Sequence, residues 1–228
     1  MPLSLHMPPP LLVSEMSNPK DVCEAAASLL FFNVTWAKTV PSFTVLPLSD
    51  QLLLLEESWK ELFILGAAQY LPPLELTPLI QTYGLVKRDP EQILNLTNEA
   101  REFQTILTKI AQFRIDPHEF ACLRAMVLFK NNLDNPTASP SSSSSSDSKV
   151  LSEPARVSAM QDSSQLMLNK YVSTAYPSQP LRFGKLLLLL PQLRNVSSNA
   201  IEKLFFKTTI GDIPIVTVIC NMYRSPGI

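Results

Sequence analysis

Histidine and glycine are scarce in this chain, with two of the first and five of the second among 228 residues. His6 lies in the N-terminal tail and His118 in a helix-start motif, so no Ser/His/Asp or Cys/His set for nucleophilic catalysis can be assembled. Five glycines leave little for a backbone-lined site, and no phosphate-cradling glycine loop occurs. The three cysteines, Cys23, Cys122 and Cys220, stand far apart, and none belongs to a Cys-x-x-Cys pair. That spacing excludes a zinc module within the sequence and reads as reduced, mostly buried thiols. Charge is sparse as well: 19 basic and 20 acidic residues leave a net charge of -1 and no electrostatic footprint for nucleic acid. The longest uncharged apolar runs, such as Leu62 to Leu74, fall short of the ~20 residues a membrane span needs. The N-terminus also lacks the basic segment and clean apolar core of a signal peptide. The expectation is a soluble intracellular protein that is not an enzyme and needs no cofactor, metal or membrane.

What is present is apolar. Hydrophobic residues make up 46% and charged residues 17%, which allows one large domain with a sizeable core. Residues 1–17, with Pro2, Pro8, Pro9 and Pro10, read as a proline-rich linker. Residues 18–228 read as the folded domain, interrupted at 131–150 by the serine-rich stretch NPTASPSSSSSSDS. Six consecutive serines cannot bury apolar surface, so a disordered loop is expected there. No internal repeat is found.

The domain reads as all-α. Asn18-Pro19-Lys20-Asp21 places an N-cap, a proline at the first helical position and an acid ahead of an apolar run. Asp116-Pro117-His118-Glu119 repeats that grammar, and Asn199 with Glu202 suggests a third capping box. Helices are expected at about 19–40, 48–71, 91–113, 117–130, 152–175, 179–209 with an irregularity at Pro191, and 213–223. Strands stay open around Leu71 to Leu85, where prolines and Gly84 interrupt any helix. In the first helix Val22, Ala25, Leu29, Phe32 and Trp36 form one ridge, and Phe31, Val34 and Lys38 a second. A helix apolar on two faces is sandwiched between neighbours. Leu186 to Leu190, five leucines in a row, likewise suit a helix with no solvated face.

Lys38 admits two readings: a solvated lysine favoured at a helix end by the macrodipole, or a cation at the rim of an apolar groove. If the helix ending near Val40 packs against the one starting near Leu48, Phe31, Val34, Leu48, Leu52 and Leu55 would make the groove floor. Lys38 would stand at one end with Gln51 beside the floor. Such a groove receives an amphipathic helix, whose free C-terminal carbonyls the ammonium would take.

The stretch Trp36-Ala37-Lys38-x-x-Pro41-x-Phe43-x-x-Leu46-x-Leu48-x-Asp50-Gln51-x-x-Leu54-Leu55 resembles the signature of nuclear receptor ligand-binding domains. The resemblance continues through FACLRAMVLF from Phe120, through YPSQPLRFGKLLL from Tyr176, and through LPQLR, IEKLFF and IGDIPI. Within that superfamily, VCEAAASLLFFNVTWAK and RFGKLLLLLPQLR look most like the tailless-like orphan receptors. The resemblance implies a three-layer antiparallel helical sandwich, the regulatory half of a nuclear, DNA-binding transcription factor. The family's zinc-module DNA-binding domain is not in this sequence, and the fold's usual first helix is not recognisable in the proline-rich tail.

In activating members of the family, the groove lysine and a glutamate on the last helix cap the two ends of a coactivator's LxxLL helix. Here that glutamate aligns with Asn221, and a second basic residue often found at the groove aligns with Glu56. Asparagine keeps an acceptor but loses the charge. The last helix carries Val218, Ile219, Met222 and Tyr223 at i, i+1, i+4 and i+5, and is too short to be stable undocked. The expectation is that it occupies the groove beneath Lys38, excludes LxxLL partners and helps build a site for a corepressor, which the resemblance implies is Atrophin. The alternative is a last helix docked in the active position, in a ligand-responsive activator that binds a lipophilic small molecule and LxxLL coactivators. Leu29, Phe32, Phe63 and Leu65 would line the ligand pocket or fill it as core. Arg182 and Lys185 fall on the helix the family uses for dimerisation, which makes a homodimer plausible. Arg182 is also expected to pair internally with Glu119.

Overall fold

The structure is a computed structural model that describes residues 18–71, 73–87, 89–130 and 150–225, with the backbone alone at 85–87. The proline-rich linker at 1–17 and all but the last residue of the serine-rich loop at 131–150 lie outside the described residues.

Prolines set many of the helix starts. α1 (Pro19–Thr39) opens with the Asn18 side chain accepting from the Lys20 amide at 3.1 Å. A single turn, α2 (Pro41–Thr44), follows, and then α3 (Leu48–Tyr70). α4 (Thr77–Lys87) leads to α5 (Pro90–Gln112), whose cap is Asp89. α6 (Pro117–Leu128) carries a complete capping box. Asp116 accepts from the amides of His118 and Glu119 at 2.8 and 2.9 Å, and the Glu119 side chain accepts from the Asp116 amide at 3.0 Å. α7 (Pro154–Ala175) has no cap of its own; the Asp50 carboxylate on α3 instead accepts from the amides of Ser152 and Glu153 at 2.9–3.0 Å.

The later part is more broken than the expected helix over 179–209 with its irregularity at Pro191. α8 (Arg182–Leu187), α9 (Leu189–Leu193) and α10 (Ser198–Ile201) are short, and a π-helical turn at Glu202–Phe206 joins α10 to α11 (Lys207–Ile210). The break at Leu188 turns that side chain outward, so the five-leucine run does have a solvated face: Leu186 and Leu189 are buried while Leu188 is exposed. The cap of α10 is Ser197, which accepts from the Ala200 amide at 3.2 Å, and not the expected Asn199 box with Glu202. Gly211, with φ +66°, ends α11 in a conformation that favours glycine. α12 (Ile215–Arg224) closes the order. The strand left open at 71–85 is not there: every regular element among the described residues is helical.

α3 is the centre of the domain, in contact with α1, α5, α6 and α12. α7 covers α6, and the α9–α11 region meets α5 and α1 through α10 and the π-helical turn. This is the expected three-layer sandwich, with α3 inside. A helix enclosed in this way must be apolar all round, and Leu62 to Ala67 are buried without a break. Phe63 is the hub, with the rings of Phe205 and Phe206 at 5.5 Å and that of Phe103 at 6.4 Å. α1 and α3 approach closely at Gly66, where an added Cβ would meet Leu29 Cδ1 at 2.7 Å. The second buried ridge of α1 is Cys23, Ala26, Leu30, Val34 and Ala37, whereas Phe31 is exposed and Ala25 and Phe32 are half-buried.

Candidate functional site

The site is built where α1 ends, α2 turns and α3 begins. Gln51 holds that corner together: its Nε2 donates to the carbonyls of Thr44 and Leu46 at 3.1 and 2.7 Å. The amide's remaining oxygen accepts from the hydroxyl of Tyr223 on α12. Tyr223 also packs edge-on against buried Phe43, with ring centroids 5.9 Å apart. Burial pushes the Tyr223 phenol above its ordinary range.

Lys38 lies at the C-terminal end of α12. Its Nζ donates to the carbonyls of Met222 and Ser225, each at 3.2 Å, and stands 5.6 Å from the Tyr223 ring centre. The last carbonyls of a helix have no intrahelical donor and carry its negative dipole end, so an ammonium there is favourable. Of the two sequence readings of this lysine, the structure has it bonded to a helix end of its own chain.

The other residues named from sequence divide by depth. With α12 in place, Val34, Gln51 and Leu55 are buried and Leu52 and Glu56 half-buried. Phe31 and Leu48 lie at the rim, 36% and 53% exposed. On α12 the inward face is Ile215, Val216, Ile219, Met222 and Tyr223, with Ile215 and Ile219 buried. Val218, expected on that face, is half-buried on its flank, while Val216 on the opposite edge of the face packs against the core. Asn221 is exposed.

A family model described as the ligand-binding domain of nuclear hormone receptor matches residues 8–210. The chain belongs to the nuclear hormone receptor family. Protein tailless of Drosophila virilis is 41% identical over 94% of this chain and 50% of its own length. Nuclear receptor subfamily 2 group F member 6 of Homo sapiens is also 41% identical, over 90% of this chain and 48% of its own. The chain therefore spans about half the length of these curated relatives. Among solved structures, the Ultraspiracle ligand binding domain from Drosophila melanogaster superposes with TM-score 0.65 at 21% identity, covering 91% of this chain and 82% of that one. That likeness carries the fold. Nuclear receptors are transcription regulators of the nucleus and not enzymes. The family match stops at residue 210, before α12.

In this receptor domain the residues named for the ligand pocket are packed among their neighbours. Leu29, Phe63 and Leu65 are buried, and Phe63 sits in the four-ring cluster described above. Phe32 is half-buried, edge-on to Tyr70 at 5.7 Å and 5.4 Å from the Arg124 guanidinium. Burial pushes that guanidinium down to about 10. Arg182, on the helix named for dimerisation, points inward and makes the internal pair with Glu119 that was expected of it. Its Nε and Nη2 donate to Glu119 at 2.5 and 2.6 Å, further bonds reach the carbonyls of Phe113 and Arg114, and its guanidinium lies over the Tyr176 ring at 4.2 Å. Lys185 is exposed, as are Leu181 and Leu188 at 70% and 67%.

No member of a metal set was predicted, and among the described residues no group of three His, Cys, Asp or Glu side chains is placed to hold a metal. No single helix among them is long and apolar enough to cross a membrane. Sequence reasoning missed two contributors to the site: Phe43, which supports Tyr223, and Ile215, the first buried residue of α12.

Proposed function

We propose that this domain is the coregulator-binding part of a transcriptional repressor in which the last helix fills the groove that an LxxLL helix would use. The carrying observation is the Lys38 ammonium on the carbonyls of Met222 and Ser225, which is how a groove lysine would hold a visiting helix. The apolar spacing supports the same reading: Ile219-x-x-Met222-Tyr223 places inward side chains at i, i+3 and i+4, the spacing of LxxLL. Asn221 is exposed and uncharged, so α12 offers no carboxylate to the far end of an incoming activator helix.

With α12 seated, the surface left beside it carries Phe31, Leu48 and Leu52, and an amphipathic helix of the Atrophin type docks there as corepressor. The packed aromatic interior favours action without a lipophilic ligand. DNA is contacted through a zinc-module domain outside this sequence, and the protein acts in the nucleus. Leu181, Lys185 and Leu188 follow one another at i, i+4 and i+7, an exposed stripe suited to a homodimer. Fluorescence polarisation with labelled peptides tests the reading. The unmodified domain should bind an Atrophin-derived helical peptide and bind LxxLL peptides poorly; strong LxxLL binding contradicts it.

A further inference from the structure

We infer that Ser225, the residue that closes α12, is a phosphorylation site for a proline-directed kinase, and that its phosphate fastens α12 in the groove by taking the third N–H of the Lys38 ammonium. The inference deepens the proposed seating of α12 and rests on that reading for its effect on partners.

Three observations meet at this residue. The first is access. Ser225 is exposed, as is Arg224 before it, and Pro226 follows in the sequence. A residue ahead of proline is kept out of the helical region, and Ser225 stands extended, at φ -64° and ψ 124°. An extended Ser-Pro unit at a helix end, where the last turn frays, is what such a kinase engages. The second is the place of the hydroxyl, whose Oγ donates to the Asn221 carbonyl at 2.9 Å and so helps to end the helix. The third is the neighbouring cation. Lys38 Nζ donates to the carbonyls of Met222 and of Ser225 itself, each at 3.2 Å. An ammonium has three N–H donors, and these carbonyls use two.

In the modification, Ser225 Oγ attacks the γ-phosphorus of a nucleoside triphosphate. The new Oγ–P bond forms as the bond to the β-phosphate oxygen breaks, the nucleoside diphosphate leaves, and the hydroxyl proton passes to the kinase. The product carries close to two negative charges and three acceptor oxygens on the residue that Lys38 already holds. The bond from Oγ to Asn221 is lost, and the phosphate faces the negative end of the helix dipole. Both costs are smaller than the gain. A charge-assisted bond to Lys38 is about twice as strong as the neutral one given up, and the dipole repulsion acts at an exposed end, where solvent screens it.

The intact domain, incubated with a proline-directed kinase and a nucleoside triphosphate, tests this by peptide mass mapping and amide hydrogen exchange. Phosphate should appear at Ser225, and the amides of Ile219 to Arg224 should then exchange about fivefold more slowly, while those of α6 are unchanged. Ser225→Ala, which keeps the other two such motifs, Thr77-Pro78 and Ser139-Pro140, should show no slowing at α12. Lys38→Ala should abolish the slowing and Lys38→Arg, which keeps a cation, should retain it; phosphate bulk alone would not distinguish the two. Failure of Ser225 to take phosphate, exchange that is unchanged or faster once it has, or slowing that persists in Lys38→Ala each overturns the inference. Titrating a labelled LxxLL peptide against the phosphorylated domain separates the two layers. Slower exchange with a fall in LxxLL affinity supports both; slower exchange with unchanged affinity leaves the Lys38–phosphate bond in its role and removes the proposed competition for the groove.

Discussion

Lys38 is half-buried and its partners are backbone carbonyls, so its loss should be felt by α12 far more than by the core. Lys38→Ala is expected to cost under ~1 kcal/mol of global stability, the scale of a cation at a helix end, while protease cleavage around residues 211–225 becomes markedly faster. A large fall in Tm would mean that the lysine is structural. Asn33 is the opposite case. It is buried on α1, and neither its amide nitrogen nor its oxygen has a hydrogen-bond partner among the described residues. Desolvating such a group costs ~1–3 kcal/mol, so Asn33→Leu should raise the denaturant midpoint; a fall would show that the amide is satisfied in solution. The Arg182–Glu119 pair is buried and multiply bonded. Glu119→Ala leaves a buried guanidinium without its carboxylate, and unfolding measurements should show a loss of ~3–5 kcal/mol.

Among the elements, α6 and α7 give the clearest pH dependence. Burial alone would push the Asp116 carboxyl up, but the Glu119 amide, the hydroxyls of Tyr176 and Tyr171 and the His118 amide outweigh it and hold it below the ordinary carboxylate range. Asp50 is held down in the same way by the Ser152 and Glu153 amides, again against its burial. Groups with lowered folded values stabilise fully above their unfolded values and lose that contribution as pH falls through the folded ones. Acid titration should therefore loosen the starts of α6 and α7 below the ordinary carboxylate range, read as lost amide protection there, and Asp50→Asn should remove that pH response at α7 alone. For α12, Asn221→Glu by itself should leave LxxLL binding weak, because the groove is still filled; a marked gain would mean that the missing charge, and not occupancy, limits binding. Much of this level was legible in the sequence. Asn18-Pro19 and Asp116-Pro117-His118-Glu119 are local signals, and both caps form as their spacing implies. The Asn199–Glu202 box did not form, since Ser197, two residues earlier, took the cap. Pro191 signalled an irregularity, and the break came within one turn of it at Leu188, whereas the π-helical turn left no signal, because leucines and phenylalanines fit a regular buried helix as well as a widened one.

At the scale of the molecule, the signature from Trp36 to Leu55 was enough to place the chain in its family and fold, whereas the use of the groove depends on where a ten-residue helix comes to rest. Val216 and Val218 fall on opposite edges of the apolar face of α12, and only the packing decides that Val216 turns inward while Val218 does not. The central claim is that α12 competes with activator helices for one groove. Titrating a labelled LxxLL peptide against the whole domain and against a form ending at Gly211 tests it most directly. The account predicts weak binding to the whole domain and at least about a tenfold gain on removing α12, as expected when a competent state is freed; equal affinity for the two forms would contradict it.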